Sequence, residues 1–127
     1  MKKHLFYVLA ICVFSQVNVM AQKTEAKFVQ ITTIESVVGG GMGRSKMIVT
    51  KEDGNQEEKD MNNLFSIAGI NFKNIKENES SIIQTLKSYT DSGWRLFSTT
   101  PLTLSPGNNG YGIFMTRYLL IKEDEKK

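Results

Sequence analysis

Beyond its N-terminal leader, this chain has one stretch with the period of an amphipathic helix, and runs rich in β-branched residues lie on both sides of it. From Asn78 to Ser92, the side chains of Ile82, Ile83, Leu86 and Tyr89 fall at i, i+1, i+4 and i+7. That spacing gives a single apolar stripe about 100° wide. Asn78 or Ser80 offers an oxygen to the free first-turn N–H groups, and Glu77 and Glu79 sit at the positive end of the helix dipole. Gly93 is placed to stop the helix in the left-handed conformation. A solitary apolar stripe needs a flat surface to be buried against, and one face of an antiparallel sheet is the economical choice.

The flanking sequence supplies strands for that sheet. Lys27 to Val38 (KFVQITTIESVV) is dense in Val, Ile and Thr, as strands are. The glycine run at 39–43 breaks it, and Arg44 to Lys51 (RSKMIVTK) returns as the second arm of a hairpin. Glu52 to Asp60 reads as a solvated turn around Asp53-Gly54. Met61 to Phe72 reads as irregular, with one short strand near Leu64–Ile67. After the helix, Trp94 to Leu102 begins a third strand, which Pro101 ends or marks as an edge. Ser105 to Gly110 is the densest turn cluster, and Tyr111 to Lys122 is the last strand. The expected fold is α+β: an antiparallel four-stranded sheet in the order β-β-α-β-β, with one helix packed on one face. The aromatics Phe28, Phe97, Phe114 and Tyr118, at strand spacing, are assigned to the core.

Residues 1–21 read as an export signal. Lys2 and Lys3 precede an apolar run from Leu5 to Phe14; Ser15, Gln16 and Asn18 follow, and Val19-Met20-Ala21 suits a signal peptidase cutting after Ala21. As a membrane anchor the run is short, spanning about 15 Å as helix, half of a bilayer core. Cys12 lies inside the run and follows Ile11, unlike a lipidation site, which needs a small residue there and a place at the end of the run. The expectation is a bacterial protein of the periplasm or the extracellular space. Residues 22–127 then form a single small domain with a polar tail, Glu123 to Lys127. The leader also holds the only His (His4) and the only Cys (Cys12). Without them the domain has no disulfide, no thiolate nucleophile, no Ser-His-Asp arrangement and no zinc site of the usual N/S type.

The junction of helix and strand carries a resemblance. Leu86 to Leu96 reads LKSYTDSGWRL, a helix that ends in Gly and passes through Trp into an apolar strand. It resembles a family of small, often exported bacterial domains of unknown function with a helix-Gly-Trp-strand signature. Leu86, Gly93, Trp94 and Leu96 match; Lys87, Thr90 and Arg95 stand where that family often has Asn, Gly and Glu. The resemblance implies the fold and brings no activity with it. Independently of it, Trp94 is placed to pin the helix to the sheet. Burying such a ring removes roughly 150–250 Å², worth at most about 4–6 kcal/mol.

Candidate chemistry is sparse. The glycine run lacks the third Gly of a dinucleotide motif, where Arg44 sits, lacks the Gly-Lys-Ser/Thr of a phosphate loop, and leads into a strand rather than a helix. Asp53, Asn55 and Glu57 offer oxygens for calcium, but Gly54 comes too early for an EF-hand loop. Glu35 is the one acid inside an apolar strand, with a cross-strand Lys46 or solvent as its expected partner. The residues after the leader are near neutral in charge, with Arg44, Lys46, Lys73 and Lys76 interrupted by acids, so no nucleic-acid surface is expected. No catalytic residue, cofactor or metal is assigned.

These features point to a non-enzymatic protein-binding or interaction module of the cell envelope. Its partner, a protein, is expected at an exposed sheet edge or at the loops 39–43 and 105–110. The alternatives are a carbohydrate binder or carboxylate-based hydrolase, and a structural component of an envelope assembly. No membrane span is expected once the signal is removed.

Overall fold

A computed structural model of the chain describes residues 25–105 and 112–123. The expected signal and the tail beyond Glu123 lie outside these residues, as does the turn cluster at 105–110 except for Ser105. Strand β1 runs over Ala26–Val37 and β2 over Ser45–Lys51, joined by a short 3-10 turn at Gly39–Gly41. Then come β3 (Gln56–Met61), two two-residue strands β4 (Phe65–Ser66) and β5 (Gly69–Ile70), helix α1 (Phe72–Asp91), β6 (Arg95–Leu104) and β7 (Gly112–Glu123).

The architecture is α+β, one helix against an antiparallel sheet, but the sheet has five strands, not four, in the order β3-β2-β1-β7-β6. The β4–β5 pair forms a separate minute hairpin. The added strand is β3, whose sequence QEEKDM reads as part of a solvated turn; the turn itself is confined to residues 52–55. Its period is unreadable because every residue before Met61 is exposed. What makes it a strand is the free ladder of β2 beside it, with Val49 opposite Glu57 and Met47 opposite Lys59.

β1 is the centre of the sheet. All twelve of its residues pair with β7, from Ala26↔Glu123 to Val37↔Gly112. Its odd-numbered side chains face the helix: Val29 and Ile31 meet Met47, Val49, Leu120 and Ile82 in the buried core. Met61, Leu86, Tyr89, Trp94 and Tyr118 close the rim of that cluster.

The helix begins earlier than its apolar stripe. Its cap is Asn71, whose side chain accepts from the Asn74 N–H at 3.2 Å, and not Asn78 or Ser80. Asn78 lies mid-helix and is buried. The first two turns, FKNIKEN, are polar and held by contacts from outside the helix, so periodicity does not reveal them. The stripe is also narrower than its spacing suggests, because Ile82 is buried while Ile83 is exposed. At the other end Gly93 has φ +85°, the left-handed value that glycine tolerates best. Trp94 meets Tyr89 edge to face at 6.0 Å and 80°, and Lys122 Nζ donates to the Ser92 carbonyl. The Trp94 ring pins helix to sheet but is only half-buried, so its contribution falls below the full-burial figure.

Candidate interaction surface

One helix is about 10–12 Å across, while five strands spaced by about 4.8 Å span roughly twice that. The helix therefore leaves part of its own side of the sheet uncovered. The core cluster draws on β1, β2 and the near part of β7 and stops there. β6, the strand beyond, is exposed at all ten positions.

This overturns the assignment of the strand aromatics to the core. Phe28 is 46 % exposed, Phe97 60 % and Phe114 43 %; Tyr118 alone packs against the core rim. Their spacing is that of strands, but the positions lie where nothing among the described residues covers them. On the helix side, the register places Leu96 beside Leu120, Thr99 beside Tyr118 and Thr103 beside Phe114. Leu96 and Phe114 are both exposed, with the Pro101 ring between their rows. Phe97 is the residue left over at a bulge between Leu96 and Ser98, which sets it apart from the alternation expected of a regular strand. Burial pushes the Tyr118 hydroxyl above its ordinary value of 10.0, with the Glu35 carboxylate adding to the shift and a hydrogen bond to Thr116 opposing it.

The opposite edge is different in kind. Lys46 on β2 bonds Glu58 on β3 and lies 4.0 Å from Asp60, and Lys51 bonds Glu57. The hydrogen bond to Glu58 and its charge raise the Lys46 ammonium above 10.5. Lys46 thus looks away from Glu35, because it stands opposite Ile34 and shares that residue's face.

Glu35 turns instead to the helix, where its Oε1 accepts from Asn78 Nδ2 at 3.0 Å. The same amide donates to the Asn62 carbonyl at 2.9 Å, while Asn78 Oδ1 accepts the Asn62 N–H at 2.9 Å. Asn74 donates to the Asn63 carbonyl, and Asn63 donates to the carbonyls of Val38 and Phe65. Ser36 completes the chain of contacts, donating to Asn63 Oδ1 at 3.0 Å. Gly43 lies so close that a Cβ there would come within 2.2 Å of Ser36 Oγ. Amides and hydroxyls neither take up nor release protons near neutral pH. The cluster is a clasp that fixes the N-terminal half of the helix, the β4–β5 hairpin and the end of β1 together. Sequence reading missed it because an Asn at a helix interior looks like a cap.

The remaining candidates separate. Asp53 and Asn55 make a local turn, with the Asn55 N–H donating to Asp53 Oδ1, while Glu57 is held by Lys51. No group of three or more His, Cys, Asp or Glu that could hold a metal occurs among the described residues. Among them, too, no helix is long and apolar enough to cross a membrane. A hollow lies at the end of the helix, lined by residues that include Lys27, Phe28, Lys51, Tyr89 and Trp94. The chain matches no protein-family model, no curated protein and no solved structure.

Proposed function

We propose that this chain is a non-enzymatic, exported bacterial interaction module that holds a protein partner of the cell envelope against the uncovered β6–β7 half of its sheet. It would stand with the small exported domains of the helix-Gly-Trp-strand type. The observation that carries the reading is β6 itself: ten residues, all exposed, with no charge after Arg95. On the helix side Leu96 and Phe114 are left bare, with Pro101 between their rows, and uncovered apolar side chains on adjoining strands offer a contact surface. Recognition here is by side-chain packing. Strand addition is disfavoured, since Pro101 lies in the edge strand and has no N–H to offer a new neighbour.

The test is recovery of partners from native envelope extract by the tagged protein, set against the Leu96→Lys/Phe114→Lys double variant. A protein enriched by the parent and lost with the variant supports the reading. Equal recovery by both, or glycan alone, defeats it. The runner-up, a carbohydrate binder, is favoured by one observation, the hollow that Trp94, Tyr89 and Phe28 line together. Retention on glycan that Trp94→Leu abolishes would select it.

A further inference from the structure

The sheet face turned away from the helix has a charge pattern that a neutral support surface does not require. Reading across it at one level, the register aligns Glu58 on β3, Ile48 on β2, Thr32 on β1, Arg117 on β7 and Thr100 on β6. Acids lie to one side of β1, where Glu58 and Asp60 share a single Lys46. Arg117 and Arg95 lie to the other. Arg95 sits 3.6 Å from Glu123, whereas Arg117 has no ion pair among the described residues. On this face β1 itself carries no charge, only Ala26, Phe28, Gln30, Thr32 and Ile34, with Thr32 buried between its neighbours and the Ser36 hydroxyl turned into the clasp. Half-buried apolar side chains fill in around them, Met115 beside Ile34 and Leu119 above Phe28, while Ile121 beside Phe28 is already buried.

We infer that two copies of this chain stack these helix-free faces about a dyad parallel to β1, so that Arg117 of each copy comes over Ile48 on β2 of the other, at the level of Glu58 and about 4.8 Å, one strand, from it. β1 is the central strand, so a half-turn about its direction lays β2 and β3 of one copy over β7 and β6 of the next. Such a rotation leaves positions along the strand unchanged, so the arginine and the glutamate stay at one level. A dyad perpendicular to the strands would set Arg117 on Arg117 and is disfavoured. At about 3.3 Å per residue and about 4.8 Å between strands, the face measures roughly 700 Å² per copy in projection. That is close to the roughly 800 Å² per partner of a standard stable interface. Aligned sheets stack in this way about 10 Å apart in sandwich proteins. The inferred contact uses the face opposite the partner surface above, so either can hold without the other.

Sedimentation equilibrium of the exported protein over a concentration series tests it. The expected result is a monomer–dimer equilibrium that Arg117→Glu weakens at least about tenfold, and that Arg117→Glu with Glu58→Arg restores. Arg117 is exposed, and an unchanged melting curve shows that the variants fold. The only cysteine lies in the leader, so single cysteines report position without background. Ile34→Cys is expected to join two copies through a short bismaleimide, and Thr99→Cys, on the helix side, to leave them separate. A protein that stays monomeric at every concentration, a charge swap that fails to restore association, or cross-linking through Thr99→Cys in place of Ile34→Cys would overturn the inference. A monomer that still captures its envelope partner would remove the dimer and leave the proposed function standing.

Discussion

The two edges of the sheet guard themselves by opposite means. β3 is six residues long and its exposed surface is almost wholly charged, with Glu57, Glu58 and Asp60 drawn to lysines of β2. Charge keeps an unpaired edge from accepting a stray strand. β6 is ten residues long and has no charge beyond Arg95, and it relies on a bulge at Phe97 and on Pro101. A bulge and a proline interrupt backbone pairing, but they do nothing to keep apolar side chains from meeting apolar side chains. One edge is closed to everything apolar; the other is closed to strands and open to surfaces. The helix follows the same division, covering the side of β1 and β2 and leaving β6 bare.

The sharpest way to break this comparison is to weigh one residue from each half. Ile31 is fully buried, and Ile31→Ala is expected to cost about 3–4 kcal/mol in denaturant unfolding. Phe97→Ala, the loss of a larger side chain from the bare half, is expected within about 0.5 kcal/mol of the parent. Similar costs at the two positions would mean that the bare half is packed after all. The clasp comes next. Asn78→Leu strands the Asn62 N–H and the Glu35 carboxylate without their amide, and about 2–3 kcal/mol of destabilisation is expected. Faster amide exchange over residues 62–78 than over β1 would locate the loss. A smaller effect, about 1 kcal/mol, is expected from Asn71→Ala, which removes the helix cap. Ser80→Ala, at an exposed position inside the helix that caps nothing, should be almost silent beside it. The smallest is a pH effect. The Tyr118 hydroxyl is held above 10.0 in the fold, so the folded chain keeps its proton longer than the unfolded one. Its stabilising share is complete below pH 10 and fades as pH rises through the raised value. In an alkaline melting series the parent should lose stability relative to Tyr118→Phe, and an unchanged difference across that range would show that Tyr118 titrates as if unfolded.

Much of the fold was legible because its buried half follows simple periods. The strands at Lys27–Val38 and Arg44–Lys51, the helix stripe through Ile82 and Leu86, and the Gly93–Trp94 corner all bury one side, and burial writes a period into sequence. β3 was not legible, since a charged edge strand is specified by its neighbour and not by its own residues. The first turns of the helix were hidden for a related reason: Asn71, Asn74 and Asn78 hold them by hydrogen bonds, two of the three reaching the 62–63 segment, and hydrogen bonds leave no hydrophobic period. The candidate surface was visible but misassigned. Phe28, Phe97 and Phe114 stand out in the sequence; the width of five strands against one helix leaves Phe114 uncovered, a bulge sets Phe97 apart, and the register turns Phe28 to the helix-free face. Glu35 stood out too, and its partner was misjudged because register, which composition does not fix, sends Lys46 to the other face.

The pairing of β1 with β7 along its whole length has a consequence in time. β1, the earliest of the described strands, receives one of its two neighbours only when β7, the latest of them, has been made. Until then Val29 and Ile31 lack the wall that Leu120 provides, and the central ladder stays half empty. A fold dominated by such distant pairings forms slowly. A nascent chain of this design cannot close its core until β7 has been made, which suits the export proposed above.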